Sequence, residues 1–419
     1  MRNLRKRVVC RTCISLLIGL FMCACFAANA DAAWPQFRGP DRTAEADADG
    51  LTKEWPDGGP EMKWAVEDLG FGYSSVCVVN GHIYTTGMED RKGYVYAYTV
   101  DGKPKWRTHY GKPWTGGTPG SRSTPTYNDG LLYIMSGWGK VVCLDPENGN
   151  IEWSVDTMKE FGARRITWGI TESLLVVDEK VITTPGGNKA GMVAFHKKTG
   201  EVIWACEELT DRSGYCSPIL IERGGKRIIA TLTGEAFVGV TLEDGKLLWR
   251  DPRKVAYKIH ATSPVYQDGI FYVTTGYGGK RGEAYRLSED GTSVRTIWRD
   301  SELDNHHGGV IVHEGRVYGA SDRNNRGDWI CLDLKTGKVL AKTGAVGKGS
   351  IAFADGMIYG YGENGLVGLI NPDPDNFKMV SSFRVRRGNK QHWPHPAISD
   401  GTLYIRHGTA LMAYDIRAK

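Results

Sequence analysis

Five of the ten histidines, His260, His306, His307, His392 and His395, sit just ahead of short apolar segments. Arg122, Trp168, Tyr215, Lys348 and Trp393 hold the equivalent place before other such segments. Imidazole, guanidinium, ammonium and aromatic rings are the groups that bind a small planar anion, by stacking and by charge-assisted hydrogen bonds. Imidazoles also ligate metal ions. The plainer reading of the same residues is that they line a polar, water-filled channel. Nearby acids are Glu172, Asp304 with Asn305, and Asp322 beside Arg323; such acids more often cap turns. No histidine pair has the H-E-x-x-H spacing of a helical metal site, and there is no G-x-S-x-G and no phosphate-binding loop.

The elements that must position these residues are repeated strands. Asn80-Gly81, Asp129-Gly130, Asp268-Gly269, Glu314-Gly315, Asp355-Gly356 and Asp400-Gly401 each separate two short apolar runs, the second of which ends in "x-Tyr". Asn-Gly and Asp-Gly there predict tight hairpins, because both central residues must take positive φ. The runs around Asp178-Glu179 and Gly224-Gly225 are degenerate copies. A second pattern follows each hairpin. A small residue opens a third strand, an acid with Gly makes a turn, and a Trp follows. Examples are Ala97 to Trp106, Cys143 to Trp153, Ala194 to Trp204, Gly239 to Trp249 and Ala284 to Trp298. In the copy from Cys331 the Trp is replaced by Ala341. The small residue leaves room for a large ring, and a buried ring covers on the order of 200 Å², enough to tie one unit to the next.

Successive tryptophans, Trp64, Trp106, Trp153, Trp204, Trp249 and Trp298, recur at roughly 40–50 residues, and four strands per unit at that period predict a β-propeller. Eight units can be counted, beginning near Tyr73, Arg122, Trp168, Tyr215, His260, His307, Lys348 and Trp393. The eighth unit ends before its fourth strand, while Met62-Lys63-Trp64 supplies a spare one. The expected fold is therefore all-β: an eight-bladed propeller closed by an N-terminal strand that completes the last blade and removes exposed sheet edges. The lead-in to each first strand then lines one mouth of the central channel. Arg122, Trp168, Tyr215, His260, His307, Lys348 and Trp393 are expected to converge there although distant in sequence.

The first thirty residues read as an export signal. Arg2, Arg5, Lys6, Arg7 and Arg11 precede an apolar run from Ile14 to Ala28, and Ala28-Asn29-Ala30 is a small-x-small cleavage site. Met22-Cys23-Ala24-Cys25 leaves a lipid anchor as a variant of this reading. The expected organisation is thus residues 1–30 as signal, 31–61 as an N-terminal segment and 62–419 as propeller. The whole chain of 419 residues carries 53 Lys+Arg against 48 Asp+Glu, a net charge of +5. All of that excess lies in the first thirty residues, so the remainder is neutral and lacks the basic footprint of nucleic-acid binding. Nor does a later segment have the length of apolar chain that spans a membrane. Of nine cysteines, five lie beyond the signal: Cys77, Cys143, Cys206, Cys216 and Cys331. An odd, scattered set is not a disulfide framework; Cys206 and Cys216 are close enough in sequence to pair. The absence of C-x-x-C-H excludes c-type haem attachment.

The Ala/Cys-x-Asp to Thr-Gly-Lys-x-x-Trp units resemble the tryptophan-docking repeats of the pyrroloquinoline quinone (PQQ)-like propeller family. Trp34-Pro35-Gln36-Phe37-Arg38-Gly39-Pro40-Asp41-Arg42 is similar to the opening segment of exported bacterial members. The resemblance covers residues 34–419. It implies two kinds of relative: quinoprotein alcohol dehydrogenases, and the non-catalytic lipoprotein of outer-membrane assembly. In the former, PQQ lies over Ca²⁺ near the axis, with an Asp base, Glu/Asn/Asp ligands and often an adjacent Cys pair. No adjacent Cys pair exists beyond residue 30 here, so PQQ with Ca²⁺ is not supported residue by residue and no catalytic residue is assigned. The sequence therefore favours a monomeric, non-catalytic binding or scaffold protein of the periplasm or extracellular space. Its partner would be an envelope protein, a glycan or a small planar anion. The alternative is a PQQ-dependent alcohol or sugar dehydrogenase.

Overall fold

In the computed structural model, residues 33–277, 282–322, 327–344 and 346–419 are described; residues 1–30, expected from sequence to be an export signal, lie outside them. No helix among the described residues is long and apolar enough to cross a membrane.

The expected hairpins form with both central residues at positive φ, as at Asn80 (50°) and Gly81 (73°). They build eight antiparallel four-stranded sheets, the blades of a propeller. Blades 1 to 7 are residues 77–111, 126–156, 175–206, 219–252, 265–300, 310–343 and 349–384. Blade 8 takes three strands from 397–415 and its outer strand from the N-terminal Glu61–Val66, which pairs antiparallel with Ala410–Asp415. The ring is closed as the sequence predicts. One addition was not foreseen: Glu45–Ala46 pairs parallel with Gly349–Ala354 on the inner edge of blade 7.

In six blades a small residue, inside the third strand and not at its start as the sequence suggests, lies directly opposite a tryptophan of the fourth. The aligned pairs are Ala97 with Trp106, Cys143 with Trp153, Ala194 with Trp204, Gly239 with Trp249, Ala284 with Trp298 and Ala413 with Trp64. A register shift falls beside each of these pairs. The bulge lets the ring lean out of its own blade. The indole N–H then reaches the next blade: Trp64 donates to Val100, Trp106 to Pro146, Trp153 to Lys197, Trp204 to Leu242 and Trp298 to Leu334, each at a carbonyl oxygen. The turn glycine explains itself at Gly245. Its φ is +74°, and a Cβ there would stand 2.5 Å from the Trp204 ring. Trp249 departs from the rule. Its Nε1 is buried without a hydrogen-bond partner among the described residues. The equivalent turn glycine, Gly291, abuts Arg223 and Ile228 of blade 4 instead of a tryptophan. At the seam where Ala341 replaces the fourth-strand Trp, Tyr318 of blade 6 donates its hydroxyl to the Pro372 carbonyl.

The five described cysteines are all buried free thiols, so Cys206 and Cys216 do not pair.

Candidate functional site

Residues 34–46 lie across the propeller axis and make the floor of the site. Trp34 exchanges two backbone hydrogen bonds with Val78 of blade 1, and Pro35 accepts from Tyr127 N of blade 2. The Arg42 guanidinium donates to the carbonyls of Ser173, Leu174 and Pro218, at the approaches to blades 3 and 4. Arg38 donates to Val310 O of blade 6, and Ala44 O accepts from Phe353 N of blade 7. Burial lowers both guanidinium pKa values, Arg42 to about 9 and Arg38 to about 10. Phe37 packs edge-on against His395, 4.8 Å between ring centroids, and faces the mouth. The channel is therefore a pocket and not an open pore.

Above this floor lies a cavity of about 180 Å³ lined by aromatic rings, hydroxyls, Arg122 and imidazoles. An arc of rings runs around one wall. Successive centroid distances are 4.9 Å from Tyr73 to Trp393, 5.1 Å to His307, 4.4 Å to His306 and 4.7 Å to Tyr277. Trp168 and Tyr215 stand on another wall, 6.5 Å apart. At the rim, the exposed Tyr257 meets Trp168 edge-on. Tyr257 holds φ at +56° and Lys258 at +58°, a left-handed stretch that is uncommon for side chains of this size.

Five of the seven residues named from sequence line this pocket: Arg122, Trp168, Tyr215, His307 and Trp393. His260 does not. Its neighbours Ile259 and Ala261 face the cavity while its own ring is buried behind the wall, as alternation along an extended segment requires. Lys348 also stands behind the lining, ion-paired with Asp322 at 2.5 Å and Glu363 at 3.4 Å. Of the remaining histidines, His306 and His395 line the pocket, whereas His392 stacks on His407 with centroids 3.6 Å apart. The strand lead-in rule missed Tyr277, which follows a second strand, and Phe37, which comes from the floor segment. Tyr73 was legible as a lead-in residue.

The electrostatics are one-sided. Burial holds the His307 imidazole well below its ordinary pKa, reinforced by His306 and Lys348; burial likewise takes His395 to about 3, helped by Arg38. Both rings are neutral at pH 7. Burial raises the phenols of Tyr73 and Tyr277 to about 12, so these too are neutral. No carboxylate faces the cavity among the described residues. Arg122 is its one cation among the described lining residues. Burial lowers its pKa, and only the phenols of Tyr73, Tyr215 and Tyr277 oppose that shift. One Nη donates to Thr118 O, and the guanidinium sits over the Tyr73 ring at 5.4 Å. Its Nε is buried with no hydrogen-bond partner among the described residues.

The candidate acids do not supply a calcium site. Both Glu172 oxygens accept from Thr184 N, and burial raises this carboxyl to about 7. Asp304 accepts from Ser321 Oγ and Asp322 N. Asn305 is bonded to Thr262, Ala320 and Gly309. All three hold strands together and none lines the cavity. Calcium needs six to eight oxygens, and these residues do not fit it.

Fold and pocket together define a PQQ-like propeller. A family described as outer membrane protein assembly factor BamB matches residues 91–343, and the chain belongs to that family. It is also similar to tetrathionate hydrolase of Acidithiobacillus ferrooxidans, 28% identical over 191 residues, covering 42% of this chain and 36% of that protein. A second relative is the quinoprotein alcohol dehydrogenase PedH of Pseudomonas putida, 25% identical over 174 residues, covering 40% and 28%. These matches span only about a third of the relatives' own length. The crystal structure of BamB from Moraxella catarrhalis superposes with a TM-score of 0.61 at 14% identity, covering 86% of this chain and 98% of that one, which shows a shared fold.

Proposed function

We propose that this protein is an exported, non-catalytic binding protein of the cell envelope whose axial pocket holds a small planar organic anion. The observation that carries this reading is Arg122: a half-buried, largely desolvated guanidinium on an aromatic wall, with no carboxylate beside it among the described lining residues. An uncompensated buried charge is costly, and an anionic ligand would offset it. Tyr73, Trp393 and Trp168 would stack on the ligand's faces, and the neutral imidazoles and hydroxyls would read its polar edge. Pyrroloquinoline quinone, a planar tricarboxylate, is one member of this ligand class.

Calorimetry of the purified protein with pyrroloquinoline quinone and with aromatic dicarboxylates tests the proposal. Binding should be seen, and Arg122→Gln should weaken it by about 10–100-fold, the loss expected for a charge-assisted hydrogen bond of 1.5–3 kcal/mol. Equal affinity of wild type and variant, or no binding by any aromatic anion, would contradict it.

The second reading, a quinoprotein oxidoreductase, draws on the partial similarity to PedH. Dye reduction by alcohols or sugars in the presence of PQQ and Ca²⁺ would establish it and overturn the non-catalytic reading. The described lining residues include no carboxylate to act as base, and the expected rate is that of the blank.

A further inference from the structure

We infer that His306, His307 and Glu363 form a binding site for a divalent transition-metal ion such as Zn²⁺ in the wall of the pocket. His306 and His307 precede the first strand of blade 6, and Glu363 follows the second strand of blade 7, so the seam between two blades brings them together. Neighbouring residues in a strand point to opposite faces. His306 and His307 lie outside any strand, and their rings meet with centroids 4.4 Å apart.

One donor atom from each residue lies within 4.8 Å of the other two. His307 Nε2 is 3.3 Å and His306 Nδ1 3.9 Å from Glu363 Oε1. Four-coordinate zinc with bonds of about 2.0–2.1 Å sets its ligand atoms about 3.3–3.5 Å apart, so small side-chain shifts complete the geometry. None of the three atoms makes a hydrogen bond among the described residues, although all are buried. Buried polar atoms are ordinarily satisfied; the Lys348 ammonium approaches only Glu363 among the three, whereas a metal ion between them would satisfy all three. The other nitrogen of His306 is already engaged by the Tyr277 hydroxyl, which is how a ligating imidazole is usually oriented. Two imidazoles and a carboxylate suit zinc or its neighbours better than calcium or magnesium. The remaining coordination position would face the cavity, since both histidines line it.

Lys348 is the competitor. Its ammonium stands 3.4 Å from Glu363 Oε1 and 2.5 Å from Asp322 Oδ1. Metal loading would displace it from Glu363 and leave its ion pair with Asp322 in place. The site does not depend on the anion reading, because Arg122 is not one of its donors.

The test is titration of chelator-stripped protein with Zn²⁺ alone, followed by calorimetry. One ion should bind per chain. Glu363→Gln and His307→Ala should each weaken binding at least about ten-fold, while Lys348→Gln, which removes the competing charge and no ligand, should tighten it. His392→Ala should leave it unchanged. The Glu363 side chain is partly exposed, 26%, so Glu363→Gln is the variant that keeps the fold; circular dichroism checks each protein. Co²⁺ in place of Zn²⁺ should give the intense visible bands of four-coordinate cobalt, lost in Glu363→Gln. Absence of Zn²⁺ binding to wild type, or unchanged binding in both Glu363→Gln and His307→Ala, would overturn the proposal. Arg122→Gln should bind Zn²⁺ no more weakly than wild type, so failure here and failure of anion binding are separate results.

Discussion

At the scale of single residues, burial sets the charge state of the site more than pairing does. Desolvation keeps His307 and His395 neutral and leaves Arg122 as the cation of the lining. The sequence shows which types are present but not which are desolvated, so it treats Arg122, His260 and Lys348 alike. His260 is fully buried and its pKa falls to about 3, and Lys348 has two carboxylates for company. Glu172 offers a clean check on the same physics. Its carboxyl is raised from 4.5 to about 7, chiefly by burial. A carboxyl with a raised folded-state pKa binds more protons folded than unfolded between those two values. Stability should therefore fall as pH rises from about 4.5 to 7 and level off above. The group contributes up to about 1.4 kcal/mol per pH unit in that window. Urea denaturation of wild type and Glu172→Gln across pH 5–8 should show this fall only in wild type; parallel curves would contradict it.

At the scale of elements, the repeat was legible because its physics is local. The Asp-Gly hairpins need positive φ, and a tryptophan needs a small residue opposite, so both leave fixed signatures in sequence. Register then aligns Ala194 with Trp204 and carries the indole to the Leu242 carbonyl. Trp249 has the same sequence signature but no acceptor, because the blade 4 hairpin with its two glycines occupies the turn that should receive it. That difference is not local, and the sequence does not display it. Replacing Trp by Phe removes the N–H and keeps most of the ring. Trp204→Phe should cost about 1–2 kcal/mol more than Trp249→Phe, one well-made buried hydrogen bond. Equal losses in chemical denaturation would show that the indole N–H adds nothing to the seam between blades.

At the scale of the whole molecule, the decisive feature is the segment 34–46 across the axis. A closed ring of blades leaves a channel, and strand pattern alone does not say whether anything fills it. Here two buried arginines and a phenylalanine from one short segment bind inner edges around the ring and convert the channel into a cavity with a floor. Only its resemblance to exported relatives singles this segment out in the sequence. Its role depends on carbonyls from blades more than a hundred residues away, a contact no local pattern encodes. The ring of lead-in residues was anticipated in outline, and alternation at His260 and pairing at Lys348 removed two of its seven members from the lining. What remains among the described residues is a cavity walled by rings with one half-buried cation. The most direct measurement is a crystal structure of the protein with pyrroloquinoline quinone. The account predicts the planar ligand in the axial cavity, its ring against Tyr73, Trp393 or Trp168 and a carboxylate on Arg122. A ligand bound elsewhere, or a cavity containing only water at saturating ligand, would contradict it.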